Sequence, residues 1–274
     1  MRAEVARFAA AKADKVERVL DIDAVYAPEF LKDARVLVTG ANRGIGLALC
    51  KEAAAQGAVV IGACRKSSPE LDAVAAKVVT GVDVVDYASC VALAEALEGE
   101  APIDLLINNA GYFPDTSDAL FEGEGPNWEE NLKQYDICAV GPLRVTSALA
   151  RAGRIASPGG KVILITSQGG SVTWRQVQNK DVGTDYGHHM GKAAANMCGA
   201  LLAEELRPKG IAVANIHPGF NRTAMTEKYA EIWDIEGAVH ESVGAKRVWH
   251  EVGKTELGPG CPFINAESGL EIPY

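Results

Sequence analysis

The chain has 274 residues, 48% of them hydrophobic, which suffices for one large α/β domain with an ample core. Its formal net charge of −9 argues against nucleic acid or an anionic membrane surface as the main partner. No apolar run approaches the ~20 residues that span a bilayer. Cys50, Cys64, Cys90, Cys138, Cys198 and Cys261 are scattered without a C-x-x-C pair, so they read as reduced thiols of a cytoplasmic compartment, not as a disulfide framework or metal site.

Taken in chain order, Val5, Phe8, Ala9, Val16, Val19 and Leu20 are spaced for an amphipathic helix, giving an N-terminal helical arm over 1–34. Its Arg and Ala content is that of an organelle transit peptide, which would place the protein in a stroma. Glu4, Asp14, Asp21 and Asp23 favour a structural arm instead, since transit peptides are poor in acids. From Arg35 onward, β-branched runs alternate with Ala/Leu-rich segments, the rhythm of βαβ units. The pattern predicts strands over Arg35–Thr39, Val59–Ala63, Lys77–Val79, Leu105–Ile107, Lys161–Thr166, Ile211–Ile216 and Phe263–Asn265. Helices are expected over Ile45–Gln56, Tyr87–Leu97, Trp128–Ala152 and His188–Leu206, the third interrupted at Gly141-Pro142. Gly57, Gly153 and Gly210 sit where helix stops belong. Runs such as V-I-L-I imply strands covered on both faces, as in a parallel sheet. Ala119–Asn127 reads as a loop, and Phe220–Pro259 as a long excursion over the sheet edge on the substrate side.

The most informative stretch is Arg35 to Gly46, R-V-L-V-T-G-A-N-R-G-I-G, a buried strand that breaks into a glycine turn and then a helix. Gly40 permits the tight turn, Gly44 lets the backbone approach a pyrophosphate, and Gly46 allows close packing of helix on strand. Asn42, Arg43 and Ile45 complete the turn, and the first helical N–H groups face the phosphates. T-G-x-x-x-G-x-G is the form this loop takes in the short-chain dehydrogenase/reductase family, which the chain resembles from here to its C-terminus, with affinity to the small C-factor-like carbonyl reductases. The resemblance implies a single Rossmann-type doubly wound parallel sheet with helices on both faces over 35–274. It also implies that Asp83-Val84 meets the adenine, and that Asn108-Asn109-Ala110-Gly111, matching N-N-A-G, lies against the adenine ribose. Pro218-Gly219 with Thr223, matching P-G-x-x-x-T, would cover nicotinamide and diphosphate. NAD users carry an acid after the second strand. Here that strand ends Ala63-Cys64-Arg65-Lys66, so Arg43 and Arg65 read as a clamp for the 2′-phosphate of NADP(H), or else as solvated surface cations.

In the family a Ser and a Tyr bind the substrate oxygen, a Lys lowers the Tyr pKa, and an Asn links the Lys to water. Thr166-Ser167-Gln168-Gly169-Gly170 assigns Ser167, and Gly191-Lys192-Ala193-Ala194-Ala195-Asn196 assigns Lys192, which in the family also binds the nicotinamide ribose. One helical turn before Lys192 stands His188 where the resemblance demands Tyr. Tyr186 is six residues from Lys192 and about 240° around a helix from it; it serves as the acid only if the helix is irregular, and otherwise matches a second aromatic common in C-factor-like members. Cys138 occupies the Asn place, which interrupts the relay or rebuilds it with water. His189 is expected at the surface and His217 at a strand end without chemical duty. Trp174 on a polar loop should lie over the nicotinamide, while Tyr112, Phe113 and Phe220 could form an aromatic wall or simply pack under loops.

Three functions fit this pattern. The first is an NADP(H)-dependent oxidoreductase of a small carbonyl or hydroxyl compound with altered acid chemistry. The second is an NADP(H)-binding scaffold or sensor, and the third a non-redox lyase or isomerase. The long helical segment Trp128–Ala152, which pairs across a two-fold in many family members, implies a homodimer or homotetramer.

Overall fold

The computed structural model describes residues 19–115, 119–121, 123–177 and 183–274. A short helix α1 (Ile22–Val25) leads into β1 (Arg35–Thr39), α2 (Gly44–Ala55), β2 (Val59–Ala63), α3 (Pro69–Asp72), β3 (Lys77–Val79), α4 (Tyr87–Glu95) and β4 (Leu105–Asn108). Then come α5 (Trp128–Tyr135), a π-helical turn (Asp136–Val140), α6 (Gly141–Arg151), β5 (Lys161–Ile165), α7 (Val172–Val177) and α8 (Tyr186–Leu206). The last part holds β6 (Ala212–His217), β7 (Asn221–Arg222), β8 (Val239–His240), α9 (Glu241–Lys254), β9 (Phe263–Asn265) and β10 (Leu270–Glu271). The main sheet runs β3-β2-β1-β4-β5-β6-β9-β10, parallel throughout except for the β10 edge. The order reverses between β1 and β4, and the crevice at their carboxyl ends is where ligands of such sheets bind.

Successive residues of a strand point to opposite faces, so β1 feeds two cores. Leu37 joins Ile61, Leu93, Leu106, Val145, Leu149, Val162 and Leu202 under α4, α6 and α8. Val36 and Val38 join Leu49, Ala53, Ile107, Ile163, Ile216, Val248 and Trp249 under α2 and α9. Trp249 is fully buried and satisfies its indole by donating to Leu49 O at 3.1 Å. Burial on both faces, at roughly 1.5–3 kcal/mol per large apolar side chain, explains the unbroken V-I-L-I runs.

The expected doubly wound sheet is present, and Gly57, Gly153 and Gly210 end their segments with φ of 86°, 66° and 72°. Several boundaries differ for local reasons. β5 stops before Thr166, whose hydroxyl turns to Asn196 and to Ser167 N. The interruption of the long helix precedes Gly141-Pro142: Pro142 has no N–H for the carbonyl of Cys138, and Gly141 N instead reaches back to Asp136 O in a π turn. α8 begins at Tyr186, not His188, after Asp185 in the left-handed region at φ 56°. The largest correction concerns Phe220–Pro259, which is no mere excursion. It contains β7, β8, a 3-10 segment (Ala224–Ile232) and the core helix α9, whose buried face Ala245, Val248, Trp249 and Val252 packs on α2. The polar loop bearing Trp174 is likewise partly helical, as α7. Of the arm, residues 1–18 lie outside the described residues; Val19 and Leu20 are not helical, and Leu20 N donates to Glu267 O at 2.7 Å.

Candidate active site

Gly40 takes φ 64° and Gly44 φ 54°, conformations that side-chain-bearing residues rarely adopt. A Cβ on Gly46 would lie 2.3 Å from Gly40 O and 2.4 Å from Asn109 Nδ2, so α2 can close on β1 only through glycine. Asn109 ties the two strand ends together: Nδ2 donates to Thr39 O at 2.9 Å, and its backbone N donates to Thr39 Oγ1 at 3.0 Å. Ala110 N joins the same hydroxyl at 3.1 Å, and Gly111 follows beside Cys138. Arg43 is the N-cap of α2 but its side chain makes no capping bond, leaving the helix N–H groups for a ligand. Asn42 and Ile45 are half-buried in the same turn.

Thr223 covers this turn from the far side: a Cβ on Gly44 would meet Thr223 Cγ2 at 3.8 Å. Its position is set by a capping box with Thr226, whose hydroxyl also donates to Asn221 O at 2.6 Å. Asn221 Nδ2 in turn donates to Pro218 O and Gly219 O, both at 3.0 Å. Gly219, at φ 82°, presses on Glu267 so closely that a Cβ would sit 2.3 Å from Glu267 Cγ. Asp83 accepts from Val85 N at 3.3 Å and Val84 is buried beneath Gly141. Arg43 and Arg65 are exposed, and neither joins an ion pair among the described residues. A glycine turn with no room for Cβ, a free helix N-terminus and a threonine cover fit a dinucleotide.

The second half of the site is built by α8 against the turn Gln168–Gly170. Gly187 and Gly191 face α5, so His188 and Lys192, one turn apart, face the turn. A Cβ on Gly169 would lie 3.2 Å from His188 Nε2, and one on Gly170 would lie 2.5 Å from Lys192 C. Ser167 Oγ accepts from Gly169 N at 3.0 Å, which leaves its hydroxyl proton for a further acceptor. Lys192 Nζ donates to Ile165 O at 3.1 Å beside that serine. The His188 ring is enclosed, with Phe113 at 4.6 Å between centroids, although the residue keeps a partly exposed edge. Burial above all, then Lys192, His189, Lys228 and His217, hold its pKa well below the ordinary 6.5. The imidazole is therefore neutral at pH 7.

Tyr186 opens α8 two residues before His188 and so lies some 200° around the helix from it. Cys138 sits in the π turn and spends its thiol on Tyr112, donating to O and accepting from N, each at 3.5 Å. His189 is not a free surface residue as expected. Its Nδ1 lies 2.7 Å from Gly169 O, and since a carbonyl only accepts, that nitrogen carries the proton. The aromatic wall also differs: Phe113 stacks with His188 and Tyr229, whereas Tyr112 lies under Lys133 Nζ at 3.9 Å. No periodicity in the sequence announces the 3-10 segment that carries Lys228 and Tyr229. Among the described residues no cluster of three or more His, Cys, Asp or Glu could hold a metal, and no helix is long and apolar enough to cross a membrane.

A parallel sheet with a glycine cradle at its switch point, beside a turn that carries Ser167 and packs against His188 and Lys192, is the architecture of a Rossmann-type fold. The sequence profile of the short chain dehydrogenase family matches residues 34–232, and the chain belongs to that family. It is 31% identical over 195 residues to 1-hydroxy-2-glutathionyl-2-methyl-3-butene dehydrogenase of Rhodococcus sp. (strain AD45), covering 71% of this chain and 80% of that protein. It is 36% identical over 128 residues to C-signal of Myxococcus xanthus, covering 45% of this chain and 69% of that one. The NADPH-bound carbonyl reductase from chicken fatty liver superposes with a TM-score of 0.71 at 22% identity, over 89% of this chain and all (100%) of that one, which shows the shared fold.

Because His188 is held below 6.5 when folded, the unfolded chain takes up its proton first as pH falls. Stability from this residue is full above about pH 6.5 and declines below it. The His188 ring signals in an NMR titration should stay constant between pH 8 and 6; a midpoint at or above 6.5 would remove the neutral assignment.

Proposed function

We propose that the protein is an NADP(H)-dependent reductase of small carbonyl compounds in which His188 takes the place of the usual phenol. The observation that carries this reading is the enclosed, neutral His188 set against Gly169 of the Ser167 turn, one helical turn before Lys192. Gly40, Gly44, Gly46, Asn109 and Thr223 would hold the cofactor, and Lys192 its nicotinamide ribose. When bound, NADPH supplies the hydride. The protein's part is to receive the carbonyl oxygen: Ser167 Oγ donates one hydrogen bond, and the neutral imidazole of His188 donates a second. The Lys192 ammonium, one turn along α8, stabilises negative charge developing on that oxygen, and a proton given up by this ammonium and later restored from solvent converts the alkoxide to the alcohol. Phe113 excludes water from the imidazole. Cys138, bonded to the Tyr112 backbone, supports no asparagine-type relay.

Arg43 and Arg65, with Cys64 where an acid would receive a ribose 2′-hydroxyl, favour the phosphorylated cofactor. NADPH is expected to bind at least roughly tenfold more tightly than NADH through charge-assisted hydrogen bonds; equal dissociation constants by fluorescence titration would remove the clamp.

The protein acts as an oligomer of identical chains in this reading. α5, α6 and α8 expose Trp128, Leu132, Tyr135 and Leu143 beside Met190, Met197 and Leu201, and α5 packs on α8 so that the stripes adjoin. An apolar face of this kind is rare on monomers. Light scattering at micromolar concentration should report a dimer or tetramer, and a monomeric mass would contradict it.

Substitution at His188 separates enzyme from scaffold. If the imidazole works as a donor, His188→Phe should lower NADPH oxidation with a responsive carbonyl by about 10²–10⁴-fold, the size credited to positioned acids. His188→Tyr should retain or raise activity on generic ketones, with Lys192 and Ser167 in place. Wild type inert towards quinones, aldehydes and diketones, together with His188→Tyr gaining activity, would identify a scaffold. Loss of activity in Tyr186→Phe alone would make Tyr186 the acid.

A further inference from the structure

We propose that the site beside Phe113 recognises a carbonyl compound that also carries a carboxylate, an oxo acid or the corresponding hydroxy acid, with Lys228 receiving the carboxylate. This rests on the reductase reading and names its substrate class.

The argument begins with how Lys228 is held. Its Nζ lies 3.6 Å from the centre of the Phe113 ring, 5.1 Å from that of Tyr229, and donates to Pro114 O at 2.8 Å. An ammonium has three donors, and among the described residues this one makes a single hydrogen bond. No carboxylate oxygen of the described residues stands within ion-pair distance of it, whereas Lys77, Lys133, Lys246 and Lys254 each pair with an acid. Burial lowers the Lys228 pKa, with Asp185 and Asp115 opposing from farther off. Burial also lowers that of Lys161, but Lys161 is satisfied by two carbonyls at the end of α9, Val252 O at 2.9 Å and Gly253 O at 3.2 Å. Lys228 has no such second partner among the described residues. A half-buried cation with unmet donors is costly unless something anionic completes it.

The surroundings of the neighbouring His188 are basic. The charged or chargeable groups acting on His188 are Lys192, His189, Lys228 and His217, all basic. Lys228 and the imidazole lie against the same ring, the imidazole 4.6 Å from its centre. A substrate whose carbonyl oxygen sits at Ser167 and His188 would therefore bring a carboxylate a few bonds away within reach of Lys228. A neutral ketone would leave the ammonium as it is. Lys228 is thus a specificity-determining residue on the segment Ala224–Ile232, with no part in the chemical step.

The test is binding to protein saturated with NADP⁺, after cofactor affinity has been measured separately. Calorimetric titrations compare benzoylformate with its methyl ester, the same aryl ketone without the charge. Benzoylformate should bind about tenfold or more tightly than the ester, as one charge-assisted contact provides. Lys228→Met should remove that preference while the ester binds as before, which also reports an intact fold, and Lys228→Arg should keep it. Equal or tighter binding of the ester to wild type, no binding of the acid, or equal loss of both ligands in Lys228→Met would overturn the proposal. The readout needs no hydride transfer, so a scaffold would still discriminate. Turnover of the ester alone with NADPH would sink the oxo-acid class and leave the reductase reading standing.

Discussion

The arrangement depends on how closely α8 is clasped from two sides. On one side a Cβ at Gly187 would come within 2.3 Å of Asn131 Oδ1 and Gln134 Nε2 of α5. On the other, a Cβ at Gly170 would reach the Lys192 backbone at 2.5 Å. Glycine on both contact lines lets the helix lie against its neighbours almost backbone to side chain, in an interior that is packed like a crystal. The rotation of α8 about its axis is then decided, and with it the direction of His188 and Lys192. The same economy appears at Gly46 and Gly219, where helix on strand and loop on Glu267 close to distances no larger residue allows.

Electrostatics then act on groups whose positions are already set. His188 is enclosed and surrounded by basic groups, so its neutral form is enforced by surroundings it cannot rotate away from. Farther out, Glu267 lies under the turn at Gly219: its Oε1 accepts from Phe220 N at 3.1 Å and stands 3.7 Å from Arg247. Arg247 and Glu267 are both nearly buried, and their pairing holds the loop carrying Thr223 over the glycine turn. The threonine over the glycine turn and the segment carrying Lys228 thus share one stretch of chain.

Much of this was legible in residue order, because it depends on local chemistry. The glycine turn, the N-N-A-G strand end and the i, i+4 relation of His188 to Lys192 are short-range patterns whose geometry follows from bond angles. The alternation of apolar runs marks every strand of the parallel sheet; among the described residues it misses the two-residue strands β7, β8 and β10, which are too short to show a period. What escaped was non-local. α9 reads as loop because Gly244, Lys246, Arg247, His250 and Glu251 dilute its apolar spacing. It is helical because Val248, Trp249 and Val252 find a core that α2 provides from some two hundred residues away in the chain. Lys228 meets Phe113 only once the 3-10 segment has folded back over β4's end. His189 looked like surface since nothing in its spacing announces the carbonyl of Gly169.

The π turn at Asp136–Val140 does more than relieve Pro142 of a missing hydrogen bond. A turn holding one extra residue is a phase shift: it advances everything before it by about 100° relative to everything after. Remove one residue there and the segment could run as a continuous α-helix with a regular ladder up to the proline. But α5 would then be dialled out of register with α6, carrying Asn131 and Gln134 away from Gly187 and swinging the Trp128 stripe away from Leu143. The irregular turn works as a gear tooth, meshing two helices whose partners require different angles along what is otherwise a single rod.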